Sequence, residues 1–262
     1  DEFGEQASFS RLTRYEGTAA SNGNVADPAS RSVLIGATAT EGIPACWSSH
    51  VCGALRFAAD GSLLMAHGDS AQFGPVDSGG ITPTCFAAGM FGSDQDIGAF
   101  RAQMLDSMNG KILRVDPDTG AGLPSNPYYQ PGAPASPRSR VWVSGLRNPY
   151  RFNVRPGTGS RTHPGTLYIG DVGWDLREEI SVSVAGGENL GWPCHEASSI
   201  APGYPDVDLP QWDCATLETP ANPGPLTPPL LSIHHFDQSM SAPPGYTGMG
   251  IYYRSIQQRT QD

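Results

Sequence analysis

The sequence predicts an all-β fold of many short strands. Three observations carry that expectation: the composition, a hairpin pattern between Leu55 and Asp69, and the return of a related pattern between Phe152 and Asp171. The 262 residues include 32 glycines and 24 prolines but a single lysine, Lys111, and only 16% are charged. Glycine and proline are the poorest helix formers, so the chain turns often and has little material for long exposed helices. All-β units frequently reach this length undivided, and residues 1–262 are read as one domain.

The first element is the clearest. Leu55-Arg-Phe-Ala-Ala-Asp-Gly-Ser-Leu-Leu-Met-Ala-His-Gly-Asp69 alternates, turns at Asp60-Gly61 and runs into a second apolar strand. Asp-Gly between such runs is a strong hairpin signal. Residues Ala99 to Met108 predict a helical turn, because Phe100, Met104 and Met108 repeat at helical spacing. That stripe reads as core packing rather than a cofactor box. Lys111-Ile-Leu-Arg-Val115 is a strand ending in a Pro/Asp/Gly turn, and Arg140-Val-Trp-Val-Ser-Gly145 is another short strand. Phe152-Asn-Val-Arg then leads through a loop to Thr166-Leu-Tyr-Ile-Gly-Asp171, which ends in Gly-Asp as the earlier hairpin does. Repeated hairpins with an equivalent terminus are what radially arranged sheets produce. Three stretches, near residues 70–98, 120–139 and 196–229, are too long for hairpin loops and read as surface excursions.

Charge and cysteine usage narrow the partners. Sixteen basic against 26 acidic residues give a net charge of −10, which repels nucleic acid. The close basic pair Arg138 and Arg140 lies in a Pro/Ser loop and reads as a solvated turn. No apolar run approaches the roughly 20 residues that span a bilayer, and the residues from Asp1 lack a signal peptide's basic and apolar regions. The expectation is a soluble chain, or one already trimmed. The favoured pairing of the five cysteines is Cys46 with Cys52 and Cys194 with Cys214, leaving Cys85 unpaired. Small loop-closing bridges of this kind belong to an oxidising, extracellular or periplasmic compartment. Cys46, His50 and Cys52 lack a second compact Cys/His pair, which makes zinc the weaker alternative.

Five stretches in fixed order carry a family resemblance: Ser49-His-Val-Cys-Gly-Ala-Leu-Arg-Phe57, Asn109-Gly-Lys-Ile-Leu-Arg-Val-Asp-Pro117, Gly145-Leu-Arg-Asn-Pro149, Gly170-Asp-Val-Gly-Trp-Asp-Leu-Arg-Glu-Glu-Ile180 and Gly186-Gly-Glu-Asn-Leu-Gly-Trp-Pro-Cys194. From about Ser8 to Tyr253 the chain resembles the soluble glucose/sorbosone dehydrogenases, which use pyrroloquinoline quinone (PQQ). The resemblance implies a six-bladed β-propeller with PQQ and Ca²⁺ at the mouth of its central channel. Complete members are longer, so the chain is expected to cover the central blades. An open ring leaves unpaired strand edges, so either further segments of a larger protein complete it or PQQ binding has been lost.

What the resemblance implies at each residue agrees with elementary chemistry. His50 corresponds to the family's general base, a role that suits a side chain titrating near neutrality. Arg147 and Asn148 correspond to the pair that contacts the cofactor, whose carboxylates and quinone oxygens match a planar guanidinium. Gly173 and Trp174 stand where the family gives two backbone carbonyls to Ca²⁺, and hard oxygen donors suit that ion. Asp171 and Glu179 are acidic neighbours able to support the metal; Glu178 and Glu179 read equally as a solvated strand end. His234-His235 looks like a ligand pair, but adjacent strand residues point to opposite faces. Trp47, Trp192 and Tyr246 are read as packing residues that also have the shape to stack on a sugar. The chain has no lysine after Lys111, so the family's late lysine contact is absent from it.

The expected function is oxidation of an aldose or related sugar at C1, with hydride passing to PQQ and onward to an external electron acceptor. Two other readings use the same fold: a non-catalytic extracellular propeller for binding or scaffolding, and a calcium-stabilised carbohydrate-binding module in which His50 is dispensable.

Overall fold

The fold grows outward from two runs buried along their whole length, Leu63–His67 and Lys111–Val115. Successive strand side chains point to opposite faces. Leu63, Met65, Leu113 and Val115 therefore enter one apolar cluster, while Leu64, Ala66 and Ile112 enter another. The two strands pair antiparallel with Leu63 opposite Val115 and His67 opposite Lys111. Cys52–Phe57 adds at one side and Val141–Val143 at the other, so the first four-stranded sheet follows chain order. These positions come from a computed structural model that describes residues 5–209, 211, 212, 214, 217 and 226–234.

The expected hairpin turn is present at Asp60-Gly61. Gly61 has φ +82°, a left-handed conformation natural to glycine, and Asp60 Oδ1 accepts from the Ser62 backbone N–H at 3.0 Å. The second sheet repeats the plan in Arg151–Val154, Leu167–Asp171, Arg177–Ser183 and Leu231–His234, again in chain order. Its Phe152, Leu167 and Ile169 share a cluster with Leu64, Ile112 and Val143, so the sheets pack face to face. The other face of the first sheet is closed by a hairpin the sequence reading did not anticipate, Leu12–Gly17 with Ala26–Ile35, through Leu12, Leu34 and Ile35.

The chain is thus mostly β with few helices. The α-helices among the described residues, Pro83–Ala87 and Pro137–Arg140, are five and four residues long. Two blade-like sheets lie among the described residues, and six blades are not seen. The turn expected at Ala99 to Met108 is a 3₁₀ segment, Gly98–Ala102, continued by turns rather than an α-helix. It begins at Gly98 with φ +54°, packed so closely on Asp77 that a Cβ has no room. Phe100 and Met108 are buried as expected.

One cysteine expectation is corrected. Cys194 pairs with Cys214, but Cys46 pairs with Cys85 across 39 residues, and Cys52 is the free, exposed cysteine. Cys52 opens an outer strand, whereas Cys46 and Cys85 are fully buried together against Phe91. The long stretch after residue 70 is therefore pinned at Cys85 to the segment that follows Ile43–Pro44. Among the described residues no helix is long and apolar enough to cross a membrane.

Candidate active site

The site forms where strand ends of both sheets meet. His50 lies just before Cys52–Phe57, Asp69 just after Leu63–His67, Arg147 and Asn148 after Val141–Val143, and Asp171 closes Leu167–Asp171. Gly68 lets these segments cross. Its N–H donates to the Val51 carbonyl at 3.1 Å, and a Cβ there would strike the carbonyls of His50 and Arg147. The next two residues complete the weave, Asp69 N donating to Arg147 O at 2.8 Å and Ser70 N to His50 O at 3.1 Å.

His50 is held in a left-handed backbone conformation, φ +54°, which non-glycine residues adopt at some cost and which clusters at functional sites. Its Nδ1 lies 2.9 Å from Asp69 Oδ1. Asp69 is fully buried and also accepts from Ala71 N at 2.9 Å and from the indole Nε1 of Trp192 at 2.7 Å. Burial works to raise the Asp69 carboxyl, but His50, Arg147 and the Ala71 N–H outweigh it and hold it below the usual range. An ionised Asp69 takes the Nδ1 proton of His50 as its hydrogen bond, which leaves Nε2 as the basic nitrogen. Burial, and then the Arg147 charge, lower the imidazole pKa against the pull of Asp69.

Arg147 reaches over the next turn. Its Nη1 donates to Gly173 O at 2.7 Å and Val172 O at 3.2 Å, and its guanidinium lies 5.4 Å from the Trp192 ring centre. Asp171 accepts the backbone N–H of Arg147 at 2.9 Å and of Asn148 at 2.7 Å, one on each oxygen. Burial nevertheless pushes Asp171 up to about 7. Glu179, opposite it in the strand pair, is pushed up to about 8 by burial and then by the Asp171 charge. The Gly173-Trp174 turn is fixed by Glu196, which is 1% exposed and accepts the N–H groups of Trp174, Asp175, Leu176 and Arg177. Trp174, Trp192 and Tyr204 meet edge to face, with centroids 5.1 to 6.1 Å apart.

All seven expected site residues thus gather in one region. His50 joins Arg147 through Asp69 and Trp192, and Arg147 and Asn148 are tied to Asp171 and Gly173. Sequence reasoning passed over Asp69 and Glu196 and gave Trp192 only packing or stacking. Both sheets end their second strand in Gly-Asp, and Asp69 and Asp171 each bind the loop that carries a candidate side chain. His234 lies on Leu231–His234 opposite Arg177, while His235 and Tyr246 fall outside the described residues.

The buried Arg147 guanidinium suits a polar, anionic cofactor, while the Gly173 carbonyl beside it is occupied by Arg147 Nη1 at 2.7 Å and is open to a cation only if that bond is given up. Two buried polar atoms near His50 in the chain, Trp47 Nε1 and Ser49 Oγ, have no hydrogen-bond partner among the described residues. Such orphans call for a ligand or ordered water. No group of three or more His, Cys, Asp or Glu side chains among the described residues is arranged to hold a metal. A cation here depends on main-chain carbonyls such as that of Gly173, beside the raised carboxyls of Asp171 and Glu179.

A family model described as glucose/sorbosone dehydrogenase matches residues 40–206, which include His50, Asp69, Arg147, Asp171 and Glu196. The chain belongs to the glucose/sorbosone dehydrogenase family. Among solved structures, this family member is similar to the PQQ-bound form of aldose sugar dehydrogenase from Streptomyces coelicolor, at 19% identity over 87% of this chain and 47% of that one, with a TM-score of 0.51. It also matches the calcium structure of a family AA12 protein of Trichoderma reesei, at 14% identity, 86% and 51% coverage and a TM-score of 0.46. A third match is the apo-form soluble aldose sugar dehydrogenase of Escherichia coli, at 21% identity, 73% and 48% coverage and 0.41. The first likeness shows a shared fold. This glucose/sorbosone dehydrogenase chain spans about half the length of the structures it matches.

Proposed function

We propose that this chain supplies the proton-accepting and cofactor-facing part of a PQQ-dependent sugar dehydrogenase that oxidises the C1 hydroxyl of an aldose to a lactone. The observation that carries the reading is the His50–Asp69 pair set beside Arg147. His50 Nε2 takes the hydroxyl proton of the sugar while Asp69 fixes the ring and stabilises the imidazolium that forms. PQQ would supply the two-electron acceptor for the C1 hydride, and Ca²⁺ would supply a Lewis acid beside it. Arg147 and Asn148 orient that edge, and Arg147 offers a buried positive charge to the negative charge arriving there. The carbonyls of Gly173 and Trp174 would hold Ca²⁺, supported by Asp171 and Glu179. Trp174, which is only partly buried, gives the sugar an aromatic face, and Trp192 backs it from within the core.

The reading extends to the whole protein as a six-bladed ring completed by further segments. Tyr150, Ile180 and Leu231 are exposed on the far face of the second sheet and border a cavity of about 230 Å³. That is an apolar face of the kind another blade covers. The two disulfides fit an extracellular or periplasmic setting, with electrons leaving to an external acceptor.

The test is dye-linked turnover of the longest native form, reconstituted with PQQ and Ca²⁺ and offered a panel of aldoses. Sugar-dependent dye reduction is expected, with a loss of roughly 10²- to 10⁴-fold in His50→Ala. Turnover that survives in His50→Ala would remove the base from the mechanism. A folded, PQQ-loaded protein inert to every aldose would favour a binding propeller.

A further inference from the structure

A second cavity, of about 670 Å³, shares no lining residue with the site around His50. Its walls are firmly built. The Cys46–Cys85 disulfide holds the segment that carries Met90 and Phe91, and Met90 N donates to Cys85 O at 3.2 Å. Facing it, the turn at Thr38 to Glu41 is closed by Thr38 N donating to Glu41 Oε2 at 3.2 Å. The short helix Pro137–Arg140 forms a third wall, capped by Ser136. Ile35, Pro44 and Met108 give the cavity further apolar lining.

Arg140, 7% exposed, is the unusual member of this lining. Its Nε donates to Gly120 O at 2.8 Å and its Nη1 lies 3.7 Å from Met108 Sδ. No carboxylate among the described residues comes within ion-pair distance of it. The two carboxylates that line the cavity are engaged elsewhere. Glu41 Oε2 closes the Thr38 turn, and Asp106 takes a two-pronged bond from Arg138 at 3.0 and 2.7 Å. Glu41 is near enough for its charge to act on Arg140 but forms no ion pair with it, and the guanidinium's planar fork matches a carboxylate. The volume lies within the range of small-molecule sites.

We propose that this cavity binds an amphiphilic monocarboxylate, its head group on Arg140 and its apolar body against Phe91, Met90, Met108, Ile35 and Pro44. The inference is independent of the sugar chemistry, since none of these residues belongs to that site.

The experiment is calorimetric titration of the protein with octanoate and with its neutral counterpart octan-1-ol. Octanoate is expected to bind roughly tenfold or more tightly than the alcohol, the margin of a charge-assisted hydrogen bond. In Arg140→Met that preference disappears. Thr40→Trp, which fills the cavity from its exposed rim and leaves every bond of Arg140 in place, is expected to weaken octanoate at least about tenfold. His50→Ala leaves octanoate binding unchanged. The inference is overturned if folded wild-type protein does not bind octanoate, if it binds acid and alcohol alike, or if Thr40→Trp binds octanoate as the wild type does.

Discussion

His50 draws its chemistry from its surroundings. A free neutral histidine ring can carry its proton on either nitrogen; Asp69, buried and with its pKa held below the ordinary value, removes that choice by accepting from Nδ1. Because burial and Arg147 lower the His50 pKa, the ring stays neutral, and so basic, down to pH values below its ordinary 6.5. In the proposed mechanism the neutral form is the active one, and it is lost as pH falls through the folded pKa. The acid limb of kcat/KM for the reconstituted protein is therefore expected below pH 6.5. Asp69→Asn is expected to reduce kcat by roughly 10²- to 10⁴-fold with little change in fold. An acid limb above 6.5 would mean that Asp69 governs the ring and Arg147 does not. His50 and Arg147 were singled out because each stands in a short, ordered motif. Asp69 was not singled out, since an aspartate at a strand end reads equally as a turn residue. Only the crossing at Gly68, which no local pattern encodes, brings it under His50.

Elements were read most securely where both faces of a strand are apolar. Leu63–His67 and Lys111–Val115 gave themselves away by composition, and the Asp60-Gly61 turn fixed the register between the first two strands. The Leu12–Gly17 hairpin was missed because its partner strand, Ala26–Ile35, is buried only at Leu34 and Ile35 and carries Asp27, Pro28 and Arg31. The 3₁₀ segment at Gly98–Ala102 was read as α-helical because three apolar residues fell at helical spacing; Gly98 and the contact with Asp77 override that pattern. Cysteine pairing is set by which side chains are buried together, and proximity in sequence pointed to the wrong neighbour. Alkylation of the unreduced protein is expected to label Cys52 alone among Cys46, Cys52 and Cys85, and digestion to recover a Cys46–Cys85 peptide. Cys85→Ser removes a cross-link across 39 residues and is expected to lower stability by about 4 kcal/mol in chemical denaturation. Labelling of Cys85 would return the pairing to Cys46 with Cys52.

At the scale of the whole molecule, two sheets packed through Leu64, Ile112, Phe152 and Ile169 repeat one plan, and each sends a Gly-Asp strand end to the same place. The site therefore lies at one end of the stacked sheets, where a ring of such blades would open its channel. The far face of the second sheet, with Ile180 and Leu231 exposed, continues the stack in the direction a further blade would take. Six blades and ring closure were an expectation of the family resemblance alone, because strand periodicity repeats from sheet to sheet without recording how many sheets follow. The most direct test of the account is titration of the longest native form with PQQ in the presence of Ca²⁺, followed by absorbance, beside an Arg147→Ala variant. The account predicts saturable binding by the wild type and a roughly 10- to 100-fold weaker affinity in the variant, the cost of losing a charge-assisted contact. A folded protein that shows no saturable PQQ binding, or an Arg147→Ala variant that binds as tightly as the wild type, would contradict it.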